Sequence, residues 1–409
     1  MNVYMEERKQ NIKRVVQERL LERPDLTEEE VKAVIDDCII RDSKSHYLSL
    51  EQKKQIRREL FNAMKRLDVL QDFIEDDSVT EIMVNGINGI FIERNGRLEN
   101  SGKCFESKER LQDMIQQIAA GANRTVNMSS PIVDARLPDG ARVNIVLEPA
   151  AIDGPILTIR RFSDKTIDAK MLLEFGSVSC ECLSFLQKLV EAGYNILISG
   201  GTGAGKTTFL NVLSGFIPKE ERVITIEDSA ELKIQGISNL VRLEARSKNA
   251  NGCREITIRD LIRTALRMRP DRIVVGEVRG EEAIDMLQAL NIGQDGSLST
   301  IHANSAQDAL SRLETMIMLH TEIPLAALRR QIASGIDLIV HLGRLRDKSR
   351  RLLEIRELCG LNGNEIETEL LYQFEEQKEL EGEVYGEIVK RRALIRTQKL
   401  KRAGIAYEV

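Results

Sequence analysis

Residues 198–208 read ISGGTGAGKTT. An apolar run, Ile196-Leu197-Ile198, breaks into Gly200, Gly201, Gly203 and Gly205, and Lys206, Thr207 and Thr208 follow. Fixing glycine costs more backbone entropy than fixing any other residue, so this density needs a reason. Gly200 to Thr207 fits G-x-x-x-x-G-K-[ST], the loop whose successive backbone N–H groups surround a phosphate. A Cβ at Gly203 or Gly205 would hold the backbone away from that ligand. Lys206 is expected to reach the β- and γ-phosphates and the Thr207 hydroxyl to hold Mg²⁺. A helix starting near Lys206 adds the positive end of its dipole. The context agrees, because NILIS (195–199) is a buried-strand pattern and KTTFLNVLSGF (206–216) is helical. ATP and Mg²⁺ are therefore the expected ligands. The nucleotide-binding residues expected are Gly200, Gly201, Thr202, Gly203, Ala204, Gly205, Lys206, Thr207 and Thr208.

The segments around this loop alternate in type. RVITIED (222–228), RIVVGEV (272–278) and SLSTIHA (297–303) read as buried strands, separated by helices such as IRDLIRTALRM and EEAIDMLQAL. Such alternation predicts a largely parallel sheet covered on both faces, with ligands at the carboxyl ends of its strands. Three of those ends carry chemistry. Glu277 closes an apolar strand and is the candidate for polarising the attacking water. Gly276 stands before it, where a Mg²⁺-holding Asp is usual, so the negative charge must come from elsewhere. Glu227, Asp228 and Glu231 in TIEDSAEL supply it, with Asp228 the candidate toward Mg²⁺. The third end is His302, in GQDGSLSTIHANS (293–305). For the acids, helix-dipole complementation is the competing explanation; for His302 it is a purely structural role.

The rest of the chain divides by pattern. Residues 1–66 predict three helices, with Ile12, Val15, Val16 and Leu20 on one face of the first and Pro24 ending it. Thr27/Glu30 and Ser49/Gln52 form capping boxes for the second and third. This bundle carries no catalytic constellation and is expected to be a docking or oligomer-contact module. Residues 67–162 predict a small α+β domain of short alternating strands joined by Asn-Gly and Pro-Asp-Gly turns. Residues 163–177 are expected as a linker, and residues 178–409 as the nucleotide domain with a C-terminal extension. The stretch 390–402 carries seven basic and no acidic residues, and reads as a solvated tail or a contact for anionic lipid.

Composition excludes several classes. A net charge of −5 and 4% aromatic residues argue against a nucleic-acid platform, so no nucleic-acid partner is expected. Apolar runs are strand-length, and MNVYMEERKQ lacks a signal-peptide core, so the chain is expected in the cytoplasm unless a partner holds it elsewhere. Six scattered cysteines, none in C-x-x-C, suggest reduced thiols rather than zinc.

The phosphate loop, TIEDSAEL, RIVVGEVRG and GSLSTIHAN together resemble the Walker A, Asp box, Walker B and His box of the secretion-ATPase superfamily. VTEIMVNG, ARLPDGARVNIV, IDGPILTIRRF, LRMRPDRIVVGEVRG and RRQIASGIDLIVHLGRLRD are similar to its CpaF/TadA branch, the Tad (Flp) pilus-assembly ATPases. The resemblance covers about residues 67–360. Gln294 departs from it, standing where many relatives have a second histidine. The resemblance implies a RecA-like ATPase domain preceded by a PAS-like α+β domain. It also implies a homohexameric ring working on polytopic inner-membrane platform proteins, and so peripheral to that membrane. Arginines of the α+β domain would neutralise the γ-phosphate; the candidates are Arg142 and Arg160, with Arg136 and Arg161 adjacent. A type IV secretion traffic ATPase or a pilus retraction motor is the nearest alternative. A nucleic-acid translocase and a scaffold with little hydrolysis are alternatives of other classes.

Overall fold

Helix starts follow the capping residues. The Thr27 N–H and hydroxyl both engage Glu30 Oε2 at 2.8 Å, and the Ser49 N–H donates to Gln52 Oε1 at 2.9 Å. They open the second and third of three helices, α1 (Val3–Leu21), α2 (Glu28–Ser45) and α3 (Leu50–Lys65). Ile12, Val16, Val31, Ile35, Ile56 and Leu60 form the core between them. The computed structural model describes residues 3–21, 23, 25–45, 47–94, 96–161, 167–246 and 254–406. Pro24, Cys253 and residues 163–166 of the expected linker lie outside them. The chain divides into two units, Met1–Asp164 and Lys165–Val409.

The first unit continues with α4 (Gln71–Ile74), β1 (Val79–Asn85), β2 (Ile90–Arg94), β3 (Arg97–Asn100), α5 (Lys108–Gly121), β4 (Ile132–Arg136), β5 (Arg142–Val146) and β6 (Ile156–Arg160). The strands form an antiparallel sheet in the order β3-β2-β1-β6-β5-β4. One face packs on α5 through Ile82, Val84, Ile145, Leu157 and Ile159. Period-two alternation sends their neighbours to the other face. There Arg136, Arg142 and Arg160 stand in one cross-strand row, with Glu81 beside Arg160. Arg161 turns the opposite way, and its guanidinium binds the carbonyls of Phe73, Asp76 and Val79. Arg161 is therefore a structural tie, whereas Arg160 is exposed.

In the second unit, α6 (Ala169–Glu174) and α7 (Cys180–Glu191) precede β7 (Ile196–Gly200) and α8 (Lys206–Ser214). There follow β8 (Val223–Glu227), β9 (Leu240–Glu244), α9 (Ile258–Ala265), β10 (Arg272–Val278), α10 (Glu282–Asn291), β11 (Leu298–His302), α11 (Ala306–His320) and α12 (Leu325–Gly335). The unit ends with β12 (Leu338–Arg344), β13 (Arg350–Asn362), β14 (Glu365–Leu380), β15 (Glu383–Lys390) and α13 (Gln398–Arg402). Strands β12-β7-β11-β10-β8-β9 are parallel, and β13, β14 and β15 extend the sheet antiparallel beyond β12. Ile196 and Ile198 face a core shared with α7 and α8, while Leu197 faces a second core with α9 to α12. Both faces are buried, as the apolar strands predicted. None of the described helices is long and apolar enough to cross a membrane.

Residues 390–402 differ from the expected solvated or lipid-facing tail. Leu394 and Leu400 sit in the core, the latter 1% exposed. Buried Glu357 accepts the N–H groups of Ile395 (2.8 Å) and Arg396 (2.6 Å). The Lys399 ammonium reaches Asp337 (2.7 Å) and Asp295 (2.6 Å). Leu394 and Leu400 face in, while Arg396 and Lys399 neutralise the buried Asp337 and Lys399 also reaches Asp295 at the surface. Leu400→Ala is expected to destabilise this unit by about 2–5 kcal/mol. A urea-denaturation midpoint unchanged from wild type would show that the segment is not docked in solution.

Candidate functional site

The carboxyl ends of β7, β8, β10 and β11 converge, and each delivers one part of the site. The loop after β7 turns through Gly203 at φ +71° and Gly205 at φ +93°, a region L side chains avoid. A Cβ at Gly203 would meet nothing nearer than Arg344 Nη1 at 3.9 Å. Backbone conformation, more than crowding by the chain itself, therefore requires these glycines. Helix α8 follows directly, and its N-cap, Gly205, has no side chain to satisfy the first-turn N–H groups. That leaves donors and a positive dipole end for an anion, which fits a nucleotide's phosphate chain.

Lys206 is the first residue of α8 and is only 7% exposed. Its ammonium donates to the carbonyls of Gly200 and Gly201, both at 2.9 Å, and lies 3.1 Å from His302 Nδ1. The other ring nitrogen, Nε2, lies 2.8 Å from Glu277 Oε1. An ammonium on one side and a carboxylate on the other assign the tautomer: Nδ1 accepts and Nε2 carries the proton. Burial holds the His302 pKa below its ordinary value, opposed by Glu277 and reinforced by Lys206, Arg279 and Arg312. The imidazole is thus a neutral bridge between the loop lysine and the acid.

Glu277 has Arg279 on one side and His302 on the other. Arg279 donates to its Oε2 at 2.6 Å, and this bond leads the effects raising the Arg279 pKa. Oε1 is buried, and the His302 approach is too poorly aligned to satisfy it as a hydrogen bond. A carboxylate oxygen with a spare lone pair, separated from the loop lysine by one imidazole, is suited to take a proton from water. Asp228 is exposed and lies 3.9 Å from Arg279.

Glu227 is placed differently from these. It is 2% exposed, and its Oε1 accepts the N–H groups of Glu231 and Leu232 at 2.8 Å each. Its Oε2 has no hydrogen-bond partner among the described residues, and burial raises its pKa. A Cβ at Gly276 would lie 3.1 Å from Glu227 Cγ. That contact explains why glycine stands where an Asp was expected: the space holds the Glu227 side chain. Glu227 thereby shapes the turn that carries Asp228 and Glu231.

No group of three or more metal-ligand side chains occurs among the described residues. Mg²⁺ needs no such cage, because it is commonly held by one or two protein oxygens together with nucleotide phosphates. Thr207, half-buried in the first turn of α8, fits that use. Thr202 and Gly201 lie exposed on the loop, Ala204 is buried, and Thr208 is half-buried on α8. Arg142 and Arg160 belong to the first unit and are neighbours across β5 and β6. Sequence reasoning missed Arg350, whose Nε donates to the Gly203 carbonyl at 2.8 Å. Only the register of β12 against β7 and of β13 against β12 reveals it. His341 is buried, with Nδ1 2.9 Å from the Ser199 hydroxyl.

Parallel strands around a phosphate loop, with acids and a histidine on neighbouring strand ends, define a RecA-like P-loop nucleotide-binding domain. The chain belongs to the family described as Type II/IV secretion system protein, which matches residues 64–393. It is 36% identical over 301 residues to a putative conjugal transfer protein of Mycobacterium tuberculosis, covering 72% of this chain and 85% of that one. It is 34% identical over 323 residues to the type IV secretion system protein PtlH of Bordetella pertussis, covering 72% and 95%. Among solved structures, the ATPase DotB of Legionella pneumophila shares the fold with a TM-score of 0.52 and 22% identity, over 70% of this chain and 79% of that one. The pilus retraction motor PilT, solved with ADP, does so at a TM-score of 0.52 and 18% identity, over 83% and 87%.

Gly276→Ala tests the packing account. Overfilling the space beside Glu227 should cost about 1–3 kcal/mol of stability in urea denaturation. Adding Glu227→Ala should recover part of that loss. Full wild-type stability in Gly276→Ala alone would contradict the account.

Proposed function

We propose that this chain is an Mg²⁺-dependent ATPase motor that powers pilus assembly or protein secretion. In this reading it works as a homohexameric ring in the cytoplasm, held at the inner membrane by polytopic platform proteins. The observation that carries the proposal is the continuous contact from the phosphate-loop carbonyls through Lys206 and His302 to Glu277. It couples the residue that senses phosphate to the residue that would activate water.

Lys206 exchanges its carbonyl partners for the β- and γ-phosphates when nucleotide enters. His302, released from the ammonium, keeps its Nε2 proton toward Glu277. Glu277 accepts the water proton at Oε1 while Arg279 holds Oε2. Mg²⁺, when bound, would neutralise charge on the phosphates, with Thr207 as its protein ligand and Asp228 acting through water. Glu227 and Glu231 support this edge by fixing the turn after β8. Arg142 and Arg160 are assigned to the γ-phosphate, so that the first unit responds to ATP and not to ADP. Residues 1–66 would serve as a docking or oligomer-contact module.

The motif series of the Tad (Flp) branch supports pilus assembly as the system. The relatives named for conjugal transfer and type IV secretion favour a second reading, a type IV secretion motor. Neighbouring genes for a prepilin, a prepilin peptidase and platform proteins would support the first.

Steady-state hydrolysis on full-length variants tests the proposal. Lys206→Ala should abolish turnover and weaken nucleotide binding. Glu277→Gln should bind Mg-ATP yet turn over at least roughly a hundredfold more slowly. Arg142→Ala and Arg160→Ala should depress kcat far more than ADP affinity. Near-normal turnover in both Lys206→Ala and Glu277→Gln would overturn the assignment.

A further inference from the structure

The phosphate loop has two sheet neighbours with different equipment. On one side of β7 lie β11 and β10, carrying His302 and Glu277. On the other lies β12, whose antiparallel partner β13 begins at Arg350, in register with Arg344. If the γ-phosphate faces Glu277, the rest of the nucleotide must extend away from β10 and β11. The hairpin joining β12 to β13 is what the sheet offers on that side.

This hairpin is braced. Leu345 and Ser349 close its turn at 2.8 Å, and Lys348 occupies a left-handed position at φ +69°. Asp347 accepts the N–H groups of Ser349 (2.8 Å) and Val384 (2.9 Å). The Arg346 guanidinium is taken by Glu376 and Glu379 on β14. Arg344 and Arg350 remain exposed and form no ion pair with a carboxylate among the described residues. Arg350 instead reaches the loop. Its Nε donates to the Gly203 carbonyl, and its Cδ lies 3.3 Å from where a Cβ on Gly205 would be. The carbonyl of a phosphate-cradling peptide points away from the phosphate that its N–H groups address. A guanidinium fastened to it therefore stands just outside the cradle.

We propose that Arg350 is the nucleobase platform of this site: anchored by Nε to the Gly203 carbonyl, its planar guanidinium stacks on the purine of a bound nucleoside phosphate. Arginine suits this use, because its delocalised plane stacks on aromatic faces while its edge still donates hydrogen bonds. The aromatic residues usual for base stacking are scarce in the chain, at 4%. Arg344, directly across the hairpin, adds positive charge on the same side. The inference rests on the proposed nucleotide site and adds what binds the end of the nucleotide remote from the chemistry.

The test is calorimetric titration of the full-length protein with ADP and with inorganic pyrophosphate, which keeps the phosphates but lacks base and ribose. Arg350→Ala is expected to weaken ADP about tenfold, roughly 1.4 kcal/mol, and to leave pyrophosphate within about twofold of wild type. Arg350→Lys should behave like Arg350→Ala toward ADP, since it keeps a donor but loses the plane. Equal weakening of both ligands in Arg350→Ala would make Arg350 a prop for the loop and overturn the proposal. Unchanged ADP affinity, or ADP affinity restored by lysine, would overturn it too. Lys206→Ala is the control for the site itself and should weaken both ligands. If that variant binds both like wild type, the phosphate-loop reading has failed, and the platform with it.

Discussion

A lysine ammonium with almost no access to water must be solvated by protein, and Lys206 is in that position. Two loop carbonyls and one imidazole nitrogen supply the solvation. The left-handed turns at Gly203 and Gly205 shape the loop that presents those carbonyls. The neutral state of His302 follows too, since a second cation 3.1 Å from the ammonium would be strongly repelled. With Nδ1 committed as acceptor, Nε2 must carry the proton, and Glu277 is its neighbour. One buried charge thus sets the loop geometry, the tautomer and the approach to the acid.

The acids divide by burial. Glu277 retains a usable lone pair and is clamped by Arg279. Glu227 turns inward, fills the space that Gly276 leaves, and binds backbone N–H groups. Two glutamates at the ends of neighbouring parallel strands therefore take up different tasks. The glycine before Glu277, which looked like a missing metal ligand, is the packing partner of the second glutamate.

Much of this was legible in the sequence because its signals are local. The phosphate loop is set by residue types at fixed spacing, and the apolar strands by runs too short for anything else. Strand ends carrying Glu277 and His302 could be read from the alternation of elements, since parallel sheets gather such ends at one edge. The capping boxes at Thr27 and Ser49 are contained within four residues each. What was not legible depends on contacts distant in sequence. Arg350 meets Gly203 across 147 residues, through a strand register that no motif encodes. The docking of Leu394 and Leu400 was hidden because seven basic residues dominate that stretch, and its carboxylate partners lie far upstream. The relation of Glu227 to Gly276 is likewise a contact between adjacent strands.

The central claim is that Lys206 is shared between the loop and His302 until phosphate takes it away. Histidine-selective ¹⁵N NMR reads this directly, because the chain has only four histidines and His302 can be assigned by substitution. Without nucleotide, the account predicts a neutral Nε2–H tautomer whose pKa lies below the ordinary 6.5. On adding ADP, Lys206 should move to the phosphates, leave Nδ1 next to more negative surroundings, and let the His302 pKa rise. An Nδ1–H tautomer without nucleotide, or a pKa that does not move when ADP binds, would contradict it.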